Sequence, residues 1–377
     1  MGIEPRSPPM QHAASQVASH AGAVLEIDLG AVVANWRTLG EHHPSGPVAG
    51  VVKADAYGLG AADVVPALHA AGCRHFFVAH LQEALAIRSL APTSLLGVLN
   101  GLIPGSEPEY VAHDLMPVLG SLAEIDAWGD QARRAGKKLP AILHVDTGMS
   151  RLGLDAPGLA ALRDDPSLLD GIHLAYVMSH LVSSEVPHDP VNEVQRGRFA
   201  AICAALPPAP RSLANSSGIF LGPGFGSDLA RPGAALYGIN PTPGLENPMR
   251  PVVRLRARVL SVREIPTGAT VGYNATWTAP RPSRIATAAI GYADGWHRSH
   301  SGRGHALFDG RPVPLVGRVS MDLTTFDATG HPALTPGAWL ELIGPARSAD
   351  DVAAAAGTNG YEVLTSLSRR FARLYTS

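Results

Sequence analysis

The stretch Gly50-Val51-Val52-Lys53-Ala54-Asp55-Ala56-Tyr57-Gly58-Leu59-Gly60 decides how the chain is read. It continues an apolar run that starts at Pro47, then places one lysine where a strand would end and breaks into a turn of small residues. A strand this uniformly apolar is buried on both faces, as in a parallel sheet. A lysine at its tip loses hydration, so its neutral amine becomes accessible as a nucleophile or Schiff-base former. Standing alone, Lys53 is better explained as a snorkelling side chain whose ammonium reaches water past an apolar stem. The sequence around it changes that balance.

Upstream, residues 23–28 alternate as a strand, and Val32, Val33, Trp36 and Leu39 follow at helical spacing. Downstream the chain keeps a regular beat. Strands are predicted at 47–52, 75–79, 95–99, 116–119, 141–145, 172–178, 211–214 and 234–237. Helices are predicted at 61–71, 82–90, near 107–112, and at 121–135, 157–162 and 191–206. Ser121 and Glu124 make a capping box, and Leu122, Ile125, Trp128 and Ala132 share one face of the helix that follows. Strands alternating with helices imply parallel pairing, and eight units in about two hundred residues predict a (β/α)8 barrel. A doubly wound open sheet is the alternative. Both put chemistry at the carboxyl ends of the strands.

Past Asn240 the pattern changes. Pro241, Pro243, Gly244 and Pro248 mark a linker, and then Val253, Leu255, Ala257 and Val259 alternate with arginines, a half-buried strand. Further strands are expected at 284–290, 313–316, 323–327 and 339–343, with a last helix near 361–373. The fold class is therefore α/β: an N-terminal (β/α)8 barrel over residues 21–245, then a mostly β C-terminal domain over residues 246–377. Residues 1–20, rich in Pro, Ser, Ala and His, are expected to be a disordered tail.

The 377 residues are 46% hydrophobic, enough for large cores. A formal net charge of −2 without a long basic run argues against nucleic acid or an anionic membrane as partner. Two cysteines, Cys73 and Cys203, imply no disulfide framework and fit a reducing compartment. No apolar stretch is long enough to span a bilayer, and the first residues lack the apolar core of a secretory signal. A cytoplasmic location is expected, with no metal.

Polar residues fall just after many of the barrel strands: Lys53 and Tyr57, then Asp146, Met149 and Arg151, then His180, then Asn215 and Ser216, with Arg231 just before the last. Each has a plain structural explanation. His180 could be a core histidine, Arg151 a surface ion pair, and Asn215-Ser216-Ser217-Gly218 a turn. Their coincidence at strand ends points to one shared mouth. Ser216 with the Gly233–Ala234 amides would cradle a phosphate, which barrels bind near their last strands. No Walker loop or strand-linked GxGxxG is present, so a nucleotide is disfavoured. In the second domain, Gly291-Tyr292-Ala293-Asp294-Gly295 and Ser320-Met321-Asp322 also end strands. Tyr292 is either a half-buried aromatic with a bonded hydroxyl or a general acid/base near a cation.

These residues occur in ordered motifs: Val51-Val52-Lys53-Ala54-Asp55-Ala56-Tyr57-Gly58, Val145-Asp146-Thr147-Gly148-Met149-Ser150-Arg151-Leu152-Gly153, Ala214-Asn215-Ser216, Arg231-Pro232-Gly233 with Leu236-Tyr237-Gly238, Gly291-Tyr292-Ala293-Asp294-Gly295 and Ser320-Met321-Asp322. The set resembles the alanine racemases, fold-type III pyridoxal-phosphate enzymes, over residues 27–373. The resemblance implies a homodimer with shared active sites and an amino-acid substrate. Lys53 would form the internal aldimine. Tyr57, Ser216, Gly233 and Ala234, beside Asn215, would hold the phosphate of pyridoxal 5'-phosphate. Arg231 would face the pyridine nitrogen with His180 close by, and Arg151 would meet the substrate carboxylate. Tyr292, Met321 and Asp322 of the partner subunit would enter the site. Lys53 and the partner subunit's Tyr292 would be the two bases that interconvert L- and D-alanine, supplying D-alanine for peptidoglycan.

Two departures from the family pattern stand out. His144 replaces a lysine that many members carry in carbamylated form to orient the arginine, and Ser368-Arg369-Arg370 lacks a tyrosine that some use against the phosphate. Serine or broad-range racemisation is the alternative within the family. An amino-acid decarboxylase of the same plan is weaker, since Arg231 stands where those relatives place a glutamate and the second domain has no cysteine. A non-enzymatic pyridoxal-phosphate carrier would be a barrel alone.

Overall fold

The computed structural model describes residues 20–377, so the tail expected over residues 1–20 lies, apart from His20, outside the described residues. The chain divides into two compact units, Val32–Arg250 and Pro251–Ser377, the latter joined by the described residues up to Ala31.

The first unit is the barrel. Its parallel strands run in sequence order: β2 (Gly50–Val51), β3 (His75–Val78), β4 (Leu95–Val98), β5 (Met116–Leu119), β6 (Leu139–His144), β7 (Ile172–Met178) and β8 (Arg211–Ser212). These seven strands leave one gap, and residues 229–232 fill it. Leu229 N–H donates to Arg211 O and Arg231 N–H to Ala214 O, while Ala49 N–H donates to Ala230 O and Ala230 N–H to Pro47 O. The eighth staves are thus residues 229–232, not the expected 234–237, which form a short 3-10 helix, Ala234–Tyr237. A four-residue apolar run has no period that separates strand from turn. Pro232, which has no N–H to give, ends the ladder.

Ala49, Val51, Phe77, Val118, Ile142, Met178 and Leu229, one or more from most staves, are buried together inside the barrel. A Cβ at Gly97 would lie 2.5 Å from the Phe77 ring, so only glycine admits that ring at full size. Helices such as Leu122–Ala135 and Pro190–Ala205 are opened by Ser121 and Asp189, whose side chains accept N-terminal amides.

The second unit is built on the long strand β9 (Val253–Ile265), whose alternating arginines face outward. A small ribbon, β10 (Thr270–Val271) with β11 (Trp277–Thr278), follows it. Strands β12 (Ser283–Ala288), β13 (His305–Phe308), β14 (Arg311–Pro314), β15 (Thr324–Asp327), β16 (Trp339–Ile343) and β17 (Ala372–Thr376) complete the unit. Two expectations change here. Strand β1 (Ala23–Asp28), expected to open the barrel domain, lies between β9, antiparallel, and β17, parallel. Its buried Val24, Leu25 and Ile27 complete this sheet. The last helix stops at Ser366; residues 367–371 turn, and the chain then forms β17, which pairs with β1 on the side away from β9. The helix Leu29–His42 carries the chain from one unit into the other.

Leu25→Ala should therefore lower stability by about 2–5 kcal/mol and release amide protection in β9 and β17 before β2–β8. Hydrogen exchange would show this. Earlier loss in the barrel strands would contradict the placement of β1.

Candidate active site

Lys53 lies one residue past β2, after Val52. The residues after it are unusual: Ala54, Asp55, Ala56 and Tyr57 have φ of 53, 55, 54 and 56°, one turn of left-handed helix without glycine. Each such residue costs roughly 1–2 kcal/mol, so the surroundings must hold the turn. Ala56 N–H donates to Val52 O at 2.9 Å, Gly58 N–H to Ala54 O at 2.7 Å and Gly60 N–H to Asp55 O at 2.8 Å. Asp55 Oδ1 accepts from Ala61 N–H at 2.8 Å, and Glu83 Oε1 from Ala54 N–H at 2.6 Å. The turn swings Tyr57 back onto the barrel core, its ring 4.8 Å from that of Tyr237.

Burial depresses the Lys53 pKa below the ordinary lysine value; the Arg151 guanidinium adds to this and the Glu83 carboxylate opposes it. The chain has only three lysines. The other two, Lys137 and Lys138, are exposed beyond the helix Leu122–Ala135.

Arg231 is buried at 4% exposure. Its Nη1 donates to Ser212 Oγ and its Nη2 to Ser179 O. Burial lowers its pKa to about 10, which leaves it charged at neutral pH. Among the described residues no carboxylate pairs with it. His180 is pushed down to about 3, by burial first and then by Arg231, Arg151, Lys53 and His144. His144 falls to about 4, by burial and by Arg231 and Arg151, against Asp146. Lys53, His144, Arg151, His180 and Arg231 thus share one electrostatic neighbourhood, with cations and neutral imidazoles at the carboxyl ends of the strands. Such a mouth favours an anion.

The Arg151 loop is braced through its backbone. Asp146 Oδ1 accepts from Gly148, Met149 and Ser150 N–H at 2.8, 2.9 and 3.2 Å. Burial disfavours that charge, but these amides hold the carboxyl below its usual range. Leu154 N–H donates to His144 O and Asp146 N–H to Leu154 O, closing the loop's neck. Beneath it, Gln195, fully buried, donates to Thr147 Oγ1 at 3.0 Å and His180 O at 2.9 Å, and Thr147 Oγ1 bonds Ser179 Oγ at 2.7 Å. The Arg151 side chain makes no hydrogen bond or ion pair among the described residues. The loop is therefore shaped without any modified lysine at position 144.

Ser216 Oγ accepts from Gly233 N–H at 3.0 Å and Ala235 N–H at 3.2 Å, joining two loops. A Cβ at Gly233 would lie 2.1 Å from the Tyr57 hydroxyl oxygen, so glycine is what lets that hydroxyl reach the backbone there. The first amides of the short helices at Ser217 and Ala234 have no intrahelical acceptor. Asn215 braces the loop instead, accepting from Ser184 Oγ at 2.8 Å and Gly218 N–H at 2.9 Å.

In the other unit, Tyr292 and Met321 sit on abutting loops, 43% and 54% exposed. Tyr292 N–H donates to Ser320 O and Ala293 N–H to Met321 O, both at 3.0 Å. Arg370 ties the loops together, 3.3 Å from Asp294 and 2.8 Å from Asp322.

Sequence reasoning did not find Glu83, Thr147, Ser179, Gln195, Ser212 or Arg370. Glu83 occupies the third position of its helix, as Glu124 does in the capping box that was read, but His80 at the cap disguises the pattern.

The family model for the alanine racemase N-terminal domain matches residues 27–241, and that for the alanine racemase C-terminal domain matches residues 252–375. The chain belongs to the alanine racemase family. Its similarity to an alanine racemase from Acidiphilium cryptum is 58% identity over 94% of this chain and 98% of the relative. A catabolic alanine racemase from Mesorhizobium japonicum is 52% identical over 94% and 93%. Among solved structures, the alanine racemase from Bartonella henselae, with covalently bound pyridoxal phosphate, superposes with a TM-score of 0.92 at 42% identity, covering 94% of this chain and 99% of that one. The family's architecture of a barrel and a mostly β domain is the one described above.

Both buried histidines hold a proton less readily folded than unfolded. The unfolded chain therefore takes up more protons between about pH 6.5 and 4, and stability, full above that window, falls on acidification by about 1 kcal/mol per pH unit per histidine. Urea unfolding at pH 7, 6 and 5 should show the decline, with a smaller one in His144→Gln. A flat profile in the parent would contradict two neutral imidazoles.

Proposed function

We propose that this chain is a pyridoxal-phosphate-dependent alanine racemase that works as a homodimer with active sites shared between subunits. It interconverts L- and D-alanine in the cytoplasm and supplies D-alanine for peptidoglycan. The observation that carries the reading is a single desolvated lysine at a cationic barrel mouth, in a chain that spans both domains of the family. Two unpaired cysteines suit a reducing compartment.

The residues fit the cofactor. Lys53 supplies the amine for its aldehyde. Tyr57, Ser216, Gly233 and Ala234 supply hydroxyl and amide donors for its phosphate, with the space that glycine leaves at 233, and Asn215 shapes their loop. Arg231, fixed on Ser212 and Ser179 and unable to accept a hydrogen bond, would serve as the donor toward the ring nitrogen and so disfavour its protonation. His180, neutral, lies beside it. When bound, the cofactor makes the amino acid's α-proton acidic by accepting charge into its imine and ring.

Lys53 takes or returns that proton on one face, and the partner subunit's Tyr292 does so on the other. Arg151, with no partner of its own among the described residues, takes the substrate carboxylate as a charge-assisted pair. The partner subunit's Met321 and Asp322 line the substrate side. The dimer is supported by exposed apolar residues in two places. Ile103, Leu122, Leu152, Val182 and Val186 sit on or beside the barrel's carboxyl-end loops; Tyr273, Tyr292, Met321 and Leu323 sit on loops of the other unit. Apolar surface of this kind marks protein contacts.

Purified protein with pyridoxal phosphate should abolish the optical rotation of L-alanine and of D-alanine. No loss with alanine, serine or arginine would overturn the reading. Lys53→Ala and Tyr292→Phe should each lose at least about 10²-fold in turnover. Mixed and reassembled, the two inactive variants should recover about a quarter of the parent activity, because random pairing gives half heterodimers, each with one intact shared site. Heterodimers that form without recovery would contradict shared sites.

A further inference from the structure

The carboxylate of Glu83 stands at the centre of a contact that the reaction outlined above does not use. It leaves the third residue of the helix Leu81–Ile87 and divides its two oxygens between two loops. Oε1 accepts from Ala54 N–H at 2.6 Å, in the loop after β2; Oε2 accepts from Ala79 N–H at 2.8 Å and His80 N–H at 3.0 Å, in the loop after β3. Ala54 is both the residue next to Lys53 and the first of the four left-handed residues. We propose that Glu83 is a positioning residue, pinning the left-handed turn so that the Lys53 amine is held in the barrel mouth. The proposal rests on Lys53 being the lysine that carries the cofactor.

Two features separate this from an ordinary helix cap. First, the same contact recurs two strands on, without a reacting group. Glu124 Oε1 accepts from Leu102 N–H at 2.9 Å and Oε2 from Gly120 N–H at 2.8 Å, again joining adjacent loops. The 100–105 loop that it holds has glycine at its left-handed positions, 101 and 105, so nothing there opposes the fold. The turn held by Glu83 puts alanine, aspartate, alanine and tyrosine in that conformation, which L-residues resist. Second, Glu83 is the acidic neighbour that opposes Arg151 at the Lys53 amine. A glutamine in its place has one acceptor oxygen, so its NH2 must face a backbone N–H at one end or the other, and the charge is lost.

The test compares the cofactor-loaded parent with Glu83→Gln, Glu83→Gln/Ala54→Gly and Glu124→Gln. It reads amide exchange, the pH titration of the cofactor's visible absorbance, and kcat and KM for alanine. Glu83→Gln should speed exchange across residues 54–60 by about tenfold and move the absorbance titration down by about half to one pH unit. It should lower kcat with KM nearly unchanged. Adding Ala54→Gly, which removes the Cβ that the left-handed turn resists, should restore exchange protection and much of kcat but not the titration. Glu124→Gln should speed exchange at 100–105 and leave the titration and kcat alone. A Glu83→Gln enzyme with parental exchange, titration and kcat overturns the proposal, as does an equal titration shift in Glu124→Gln. If Glu83→Gln does not fold while Ala54→Gly fails to rescue it, pinning of this turn is not the role and the proposal also falls. A parent that shows no Lys53-dependent absorbance would instead overturn the assignment of Lys53, and this proposal with it.

Discussion

Ala49 and Ala230 close the barrel. Ala49 N–H donates to Ala230 O at 2.9 Å, and Ala230 N–H donates to Pro47 O at 3.1 Å. That seam sets the register between the stave that ends in Lys53 and the one that carries Arg231. A slip of one residue would turn Arg231 from the interior to the outside. The same register puts Gly233 against the Tyr57 hydroxyl and within reach of Ser216. The Lys53 amine, the buried Arg231 guanidinium and the Gly233 amide on Ser216 are therefore placed by one pairing between distant parts of the chain.

The mouth that results is positive because its cations are not neutralised locally. Arg231 is satisfied by a hydroxyl and a carbonyl rather than a carboxylate. The nearby carboxylates, Glu83 and Asp146, are spent on backbone amides. A buried charge satisfied only by neutral acceptors is costly; Lys53, His144 and His180 are depressed first by their own burial, and then by the nearby guanidinium charges, Arg151 at Lys53 and Arg231 with Arg151 at the two histidines. An anionic ligand relieves that cost. The proposed binding of a phosphate and a carboxylate and the proposed reactivity of Lys53 thus draw on the same burial and positive charge.

Much of this was legible in the sequence. Uniformly apolar strands alternating with amphipathic helices gave the barrel, and polar residues at strand ends gave Lys53, Arg151, His180, Ser216 and Arg231 as neighbours-to-be. Three things were not legible, each because a distant partner overrode local pattern. The run 234–237 lost its strand to the residues before it, where the seam lies. Strand β1 was assigned to the sequence that follows it, although its partners lie more than two hundred residues away. The left-handed turn after Lys53 has no local signature, since its alanines and tyrosine disfavour it and its hydrogen bonds to Glu83 and Ala61 hold it. The pair His80 and Glu83 shows why the brace was invisible: its value lies in reaching another loop, not in its own helix.

The most direct test of the central claim, that one desolvated amine at the barrel mouth holds the cofactor, uses the scarcity of lysine in this chain. The protein loaded with pyridoxal phosphate is reduced with borohydride, digested and mapped by mass spectrometry. The account predicts a stable phosphopyridoxyl adduct on Lys53 at one per chain, with Lys137 and Lys138 unmodified. An adduct on Lys137 or Lys138 with Lys53 untouched, or none at all, would contradict it.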